Sequence, residues 1–324
     1  MPGYSNINFD ITYSSDKTLR PIDFENDGKY AIAAPRGSKP KYFKILDEIS
    51  GRYEGSDRVC CFKYTLGMKL VEYEKNLHAL NISLNKSGSK IIFKLYSMTG
   101  ELKKEISKSV GFTGKKRHVL FSQDETRDFA YLLFNNTLYE FNVEQFSLKE
   151  NEVVGYSINK HPGYLKVDLE SSRFALSNPN NHELKICQIS SPSDCVRIKH
   201  SSKNTIRNVA FYKNYIFLGQ GKNGVESFNA ETGELVLNYG TGYLPESHGV
   251  LAIGKNDVLL LGTKAGIYVY RLSSGEELDF VDIQKTSAGN YPDLKLIRYV
   301  SVNDDLFAVW ENGSVVKIDY IDKN

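Results

Sequence analysis

The chain has 324 residues, of which 41% are hydrophobic and 25% charged, and its formal net charge is +2. This is the balance of an ordinary globular protein, and no segment has the composition of collagen or of a linker. A near-neutral charge gives no indication of nucleic-acid or membrane binding by itself, and no stretch approaches the ~20 apolar residues of a membrane helix.

An apolar strand of alternating pattern recurs seven times along the chain. In chain order the seven copies can be marked at Ile45, Leu95, Phe141, Cys187, Phe228, Tyr270 and Ile318. The steps between them are 50, 46, 46, 41, 42 and 48 residues. A propeller blade of four strands takes ~40–50 residues, so the spacing favours a repeat of blades.

Three of the copies lead into the same turn. The turn segments are Ser97–Leu102, Ala230–Leu235 and Leu272–Leu278, and their glycines are Gly100, Gly233 and Gly275. A tight hairpin of this kind needs a residue with positive φ, which glycine adopts at no steric cost. The sequence therefore predicts a left-handed backbone at all three glycines.

Each unit contains four short apolar runs separated by small polar turns. In the sixth unit the runs are 250–255, 257–263, 266–272 and 277–283. No window carries a long apolar stripe of helical period, so we expect little helix. The predicted fold is all-β, a seven-bladed β-propeller of four-stranded antiparallel blades.

The last unit lacks a fourth strand, whereas residues 7–13 form a spare strand before the first unit. Pairing the two would close the ring and remove an exposed sheet edge. We therefore predict a single domain over 1–324. Its blades lie approximately at 20–64, 68–109, 117–154, 164–200, 205–240, 250–283 and 296–320 plus 7–13.

This pattern resembles the WD-repeat superfamily of β-propellers over nearly the whole chain. The Trp-Asp pair that ends a strand in that family is absent, with Phe141-Asn142 and Phe228-Asn229 at two of the corresponding positions. The resemblance implies a rigid, non-catalytic platform, a subunit of a larger complex. The turn AETGEL is also similar to that of quinoprotein propellers, which keeps a quinoprotein-like enzyme as a remote alternative.

The four cysteines have no metal-binding pattern, since Cys60, Cys61, Cys187 and Cys195 contain no CxxC pair. We expect buried, reduced thiols. With no signal peptide in the sequence, this predicts a soluble protein inside the cell, in the nucleus or the cytoplasm.

Motifs of catalysis are absent from the sequence. No two histidines have the spacing of a helical zinc pair, and no nucleophile elbow of the form GxSxG occurs. We predict no enzymatic activity, no cofactor and no metal.

The predicted blades assign each charged loop residue to one of the two faces of the propeller. We call the top face the one that carries the loops between second and third strands and between successive blades. Basic residues crowd these top loops, and we predict that ten of them bind a partner: Arg36, Lys39, Lys41, Lys86, Lys115, Lys116, Arg117, Lys203, Lys222 and Lys264. The opposite turns are mainly acidic.

A basic face attracts an acidic ligand. The first hypothesis is an interaction scaffold that binds a protein subunit or an acidic peptide, without membrane contact. The alternative is a propeller that binds the RNA or DNA backbone without reading its sequence.

Overall fold

The structure is a computed structural model. It describes the residues 7–13, 19–24, 30–35, 44–49, 52–55, 65–110, 119–122, 128–134, 137–153, 164–178, 183–200, 206, 208–220, 224–240, 250–254, 257–263, 265–282, 296–302, 305–310 and 315–320. All the regular secondary structure in these ranges is β-strand. They contain no helix long and apolar enough to cross a membrane.

The strands are numbered in chain order. The first strand is β1 (Ile7–Tyr13). Sheet I contains β2 (Leu19–Phe24), β3 (Tyr30–Pro35), β4 (Lys44–Ile49) and β5 (Arg52–Gly55). Sheet II contains β6 (Thr65–Tyr73), β7 (Asn76–Leu84), β8 (Lys90–Ser97) and β9 (Leu102–Ser109). Sheet III contains β10 (Val119–Phe121), β11 (Phe129–Phe134), β12 (Thr137–Asn142) and β13 (Ser147–Glu152).

The second half of the chain continues in the same way. Sheet IV contains β14 (Leu165–Asp168), β15 (Arg173–Asn178), β16 (Glu183–Gln188) and β17 (Cys195–Lys199). Sheet V contains β18 (Asn208–Tyr212), β19 (Tyr215–Gly219), β20 (Val225–Asn229) and β21 (Leu235–Tyr239). Sheet VI contains β22 (Val250–Gly254), β23 (Val258–Gly262), β24 (Ile267–Arg271) and β25 (Glu277–Val281). Sheet VII contains β26 (Leu296–Val302), β27 (Asp305–Trp310) and β28 (Val315–Tyr320) together with β1.

Sheets I to VI each follow the chain order of their strands, and sheet VII has the order β1-β28-β27-β26. Neighbouring strands in sheets I to VI are antiparallel, as are β26, β27 and β28. The all-β class and the four-stranded antiparallel sheets are thus confirmed. That the sheets form one closed seven-bladed ring in a single domain stays a prediction.

The chain divides into two compact units. The first unit comprises Met1–Ile11, Val154–Glu311 and Val315–Asn324, which include sheets IV to VI and most of sheet VII. The second comprises Thr12–Val153 and Asn312–Ser314, which include sheets I to III.

The predicted glycine turns are confirmed by their backbone angles. Gly100, Gly233 and Gly275 have φ of 86°, 77° and 73°. Beside each turn the strand register shifts by one residue, at Leu95/Tyr96, Ser227/Phe228 and Val269/Tyr270. A left-handed glycine followed by a β-bulge is a common way to close a hairpin of three or four loop residues.

The core of the second unit joins sheets II and III. Phe93 of β8 stacks on Phe141 of β12, with ring centroids 4.4 Å apart. Both side chains are almost fully buried, because alternate residues of each strand face the neighbouring sheet. In the described part of the first unit, comparable clusters join sheets IV and V, V and VI, and VI and VII.

Two of the four cysteines form a disulfide. Cys187 of β16 and Cys195 of β17 are direct partners across sheet IV, with Cα atoms 4.1 Å apart. The adjacent hydrogen bond from Gln188 N to Asp194 O makes this the closer, non-hydrogen-bonded kind of pair. The prediction of reduced thiols is therefore wrong for this pair, because strand register, not sequence spacing, brings the two residues together. Cys60 and Cys61 lie outside the described residues.

Reducing this disulfide is expected to lower the free energy of unfolding by about 2–3 kcal/mol, because the bond closes a short loop in the unfolded chain. The two cysteines are 8 residues apart. Urea unfolding with and without reductant measures the loss, and non-reducing peptide mapping shows the linked peptide. A Cys187→Ser/Cys195→Ser variant should be insensitive to reductant. Recovery of both residues as free thiols from protein prepared without reductant would contradict the expectation.

Candidate functional site

Nine of the ten predicted partner-binding residues lie outside the described residues. The tenth, Lys86, is exposed in the turn between β7 and β8, which joins the second and third strands of sheet II. Asn85 orders this turn, since its side-chain oxygen accepts a hydrogen bond from Lys90 N at 3.0 Å and its carbonyl accepts one from Gly88 N. The structure thus presents Lys86 to solvent, and the basic face as a whole stays a prediction.

The described part of the chain contains no group of three or more His, Cys, Asp or Glu side chains placed to hold a metal ion. A largely buried ion pair in this part of the chain joins Arg173 Nε to Asp168 Oδ2 at 2.8 Å. Arg173 also donates to the carbonyl of Lys213 and lies over the ring of Phe211 at 4.9 Å. These contacts tie sheet IV to sheet V, so this pair has a structural role.

A cavity of about 290 Å³ lies between sheets V and VI, both in the first unit. Its lining includes residues at the β18–β19 turn and in the first half of β21. Its lining residues are Tyr212, Lys213, Tyr215, Phe217, Ser227, Val236, Leu237, Tyr239, Asp257, Leu272 and Ser273. We call it the V–VI cavity.

Two tyrosine hydrogen bonds hold sheets V and VI together at this cavity. The Tyr239 hydroxyl donates to the Leu272 carbonyl at 2.7 Å, and the Tyr212 hydroxyl donates to Asp257 Oδ1 at 3.2 Å. Burial raises the pKa of Tyr239 above its usual value, although a hydrogen bond with Ser227 opposes the shift. Tyr239 therefore remains protonated at neutral pH and continues to donate this hydrogen bond across the cavity.

The inner wall of the cavity is aromatic. The rings of the lining residues Phe217 and Tyr239 have centroids 5.8 Å apart. Tyr270, which does not line the cavity, packs edge-on against Tyr239 at 6.0 Å. All three residues are almost fully buried. Such a wall favours an apolar or aromatic guest, because burial of apolar area is the main source of binding energy in a small cleft.

Two of the residues that line the cavity, Tyr215 and Val236, expose large apolar side chains, and so does the adjacent residue of β21, Leu235. Tyr215 is 38% exposed, Leu235 52% and Val236 42%. Tyr215 and Val236 line the cavity, and Leu235 precedes Val236 in β21. We call these three residues the β21 patch. Clustered exposed apolar residues mark interaction surfaces more often than isolated ones do.

The charges around the β21 patch are mainly acidic. Glu231 and Glu234 are exposed in the turn before β21, and Asp257 is exposed at the cavity. Lys213 is the basic residue among the cavity lining, and its ammonium lies 4.9 Å from the ring centre of Tyr212. The site therefore has an apolar centre and an acidic border.

Sequence reasoning missed this site, because it sorted the loops by charge and selected the basic ones. The V–VI cavity lies at the opposite strand ends, where the sequence had indicated acidic turns. One signal was present in the sequence: LVLNY at β21 contains no charged residue.

A second, wider cavity of about 680 Å³ lies in the second unit, at the β6–β7 and β8–β9 turns. Its wall includes Tyr73, His78 and Lys104. Lys104 donates to the Tyr73 hydroxyl and lies over the rings of Tyr73 and Phe146, at 4.5 and 5.6 Å. Because the Lys104 ammonium already contacts Tyr73 and Phe146, it is not available to a ligand. We therefore consider the V–VI cavity the better candidate site.

The comparisons with known proteins agree with the fold. No family model matches the chain, and no curated protein matches it. The chain is similar to a solved structure, the crystal structure of BamB from Moraxella catarrhalis, with a TM-score of 0.56 and 13% sequence identity. The match covers 96% of this chain and 85% of that chain.

At this identity the likeness shows the fold alone, and the fold is that of a β-propeller. Membership of the WD-repeat family stays a prediction. The fold is widely shared, since 1050 chains of solved structures match, and a shared fold does not determine a function. The function must therefore be argued from the site.

Proposed function

We propose that the protein is a seven-bladed β-propeller, closed by the pairing of β1 with β28, that binds a protein partner and catalyses no reaction. The sheet order of sheet VII and the likeness to BamB support the propeller. The predicted absence of enzymatic activity, cofactor and metal belongs to this proposal.

One observation carries the proposal of protein binding: the exposed β21 patch continues into the aromatic V–VI cavity. The cavity volume, about 290 Å³, lies at the lower limit for small-molecule pockets. It suits one large side chain of a partner better than a cofactor. Apolar anchors that enter such a pocket provide much of the affinity of protein interfaces.

The basic top face remains part of the proposal as a second contact surface. The run Lys115-Lys116-Arg117 in the sequence supports an acidic protein partner there, and equally the alternative of an RNA or DNA backbone. The proposed location inside the cell, in nucleus or cytoplasm, loses the support of reduced thiols, because the Cys187–Cys195 disulfide favours an oxidising compartment.

Affinity purification of the tagged full chain from its native cells tests the function. We expect a protein partner in fixed stoichiometry that stays bound at high salt and rebinds after separate purification, because apolar contacts are little weakened by salt. RNA or DNA retained only at low salt, and lost on replacing Lys115, Lys116 and Arg117 with glutamate, would instead establish the nucleic-acid alternative. Purification without any bound macromolecule would refute both.

A further inference from the structure

The last strand of sheet V differs from the last strands of the other sheets. Within the described residues, each sheet ends in an edge strand whose outer side has no neighbouring strand, and natural proteins protect such edges with charged residues. Among the edge strands β1, β5, β9, β13, β17, β21 and β25, as the structure describes them, β21 alone contains no Asp, Glu, Lys or Arg. It is also exposed over most of its length.

The opposite edge of sheet V does not share this property. β18 is also uncharged, but Val209, Ala210 and Phe211 are buried in the core. β21 is thus an apolar edge whose residues Leu235 and Val236 are exposed, while the Gly275 turn of sheet VI approaches the Asn238 carbonyl near its end. An edge of this kind can accept a further strand from another polypeptide, through backbone hydrogen bonds.

The β-bulge of sheet V connects this edge with the V–VI cavity. In a regular strand, successive side chains point to opposite faces. The register shift between Ser227 and Phe228 interrupts that alternation, and the consecutive residues Val236 and Leu237 both line the cavity. A strand added to β21 would therefore run beside the cavity, where one of its side chains could enter.

The charges at the edge restrict the chemistry of the added strand. Among the described residues of β21's preceding turn and the cavity lining, the carboxylates of Glu231, Glu234 and Asp257 outnumber the ammonium of Lys213. A partner with Lys or Arg beside its apolar residue would complement them, whereas an acidic peptide would be repelled. This edge therefore selects a ligand opposite in charge to the one predicted for the top face.

We propose that β21 binds an extended segment of a protein partner by strand addition. An apolar or aromatic side chain of the segment occupies the V–VI cavity, and a basic residue meets the acidic turn before β21. This inference rests on the proposed protein-binding function and specifies its binding mode.

Selection of random peptides displayed on phage against the immobilised full-length protein tests the inference. We expect enriched peptides to combine an apolar or aromatic residue, β-branched neighbours and at least one Lys or Arg. Val236→Lys should weaken their binding by about tenfold or more, because it places a charge at the edge and in the cavity lining. The melting temperature should be unchanged, since Val236 is 42% exposed.

Leu102→Lys is the matched control. Leu102 is 46% exposed and follows the equivalent glycine turn in sheet II, but it begins a strand that already carries several charges. This substitution should leave peptide binding within about twofold, because it touches neither β21 nor the V–VI cavity. Enriched peptides that bind Val236→Lys as well as the wild type would overturn the inference.

Backbone pairing has its own test. Methylation of alternate backbone nitrogens of an enriched peptide should weaken binding by about tenfold, because it removes the hydrogen bonds of strand addition. Unchanged binding would mean that only a side chain is recognised, which would overturn strand addition.

The remaining outcomes separate the inference from the function on which it rests. If the full chain self-associates in analytical ultracentrifugation and Val236→Lys abolishes this, the occupant is a second copy and the inference is wrong. If a native partner co-purifies equally with wild type and Val236→Lys, the protein-binding function holds and the β21 site fails. If no partner co-purifies, the proposed function itself fails.

Discussion

Replacing Phe141 with alanine is expected to lower the free energy of unfolding by about 3–5 kcal/mol. Phe141 has no exposed surface and lies between two other rings, stacked on Phe93 at 4.4 Å and edge-on to Phe146 at 5.2 Å. Its removal leaves a cavity that the paired strands cannot collapse to fill. Urea unfolding followed by circular dichroism and by intrinsic fluorescence measures the loss.

The control for this substitution is Phe280→Ala. Phe280 is 39% exposed, and its described ring contact is a tilted one with Tyr268 at 4.6 Å. Its truncation should cost less than about 1 kcal/mol. Equal losses for the two variants would show that sheets II and III do not pack through Phe93 and Phe141.

Gly224→Ala is expected to destabilise the protein by about 3 kcal/mol or more, because an unfavourable backbone conformation and a steric clash add at this residue. Gly224 has a φ of 81°, and a Cβ atom there would lie 2.1 Å from the carbonyl oxygen of Tyr239 and 2.8 Å from that of Gly240. Both oxygens belong to the backbone, one at the end of β21 and one in the residue that follows it. Neither can move without displacing the chain. Thermal unfolding of the purified variant provides the measurement.

Gly275→Ala measures the cost of the left-handed backbone conformation without the severe steric clash. Its φ of 73° is similar, but the nearest atom to an added Cβ is the Asn238 oxygen at 3.1 Å. We expect a loss of about 1–2 kcal/mol, the usual penalty of a left-handed conformation for a residue with a side chain. If Gly275→Ala were as damaging as Gly224→Ala, the close approach of Gly224 to Tyr239 would be irrelevant to stability.

Much of the fold could be predicted from the sequence because the repeat positions mark one strand in each sheet and, in sheets II to VII, the buried face of that strand. Leu95, Phe141, Cys187, Phe228, Tyr270 and Ile318 all lie in third strands, and each is at most 3% exposed. Ile45 also lies in a third strand, β4. Period-two burial and the spacing of the repeats are local properties of the sequence, so they can be recognised even where the Trp-Asp pair of WD repeats is absent.

The candidate site could not be predicted in the same way. The V–VI cavity combines β18–β21 with Asp257, Leu272 and Ser273 of the next sheet, and its shape depends on a β-bulge. Neither packing between sheets nor the exposure of Leu235 and Val236 is a local property. The charge of a loop is visible in the sequence, which explains why the basic loops attracted the prediction.

The disulfide illustrates the same limit. Cys187 marks a buried strand position, and its burial was predicted. Its partner Cys195 is brought opposite to it by the hairpin of β16 and β17, whose register a single sequence does not specify. Cysteine spacing indicates metal motifs well, but it does not indicate pairs across a hairpin.

The hydrogen bonds of Tyr212 and Tyr239 have a consequence for the thermodynamics of association. They hold the wall beside β21 in place before any ligand arrives, so the receptor loses little conformational entropy on binding. The entropic cost then falls on the incoming chain, whose backbone must be straightened. A segment constrained to an extended shape, such as a cyclised hairpin, should bind more tightly than the same sequence as a flexible peptide.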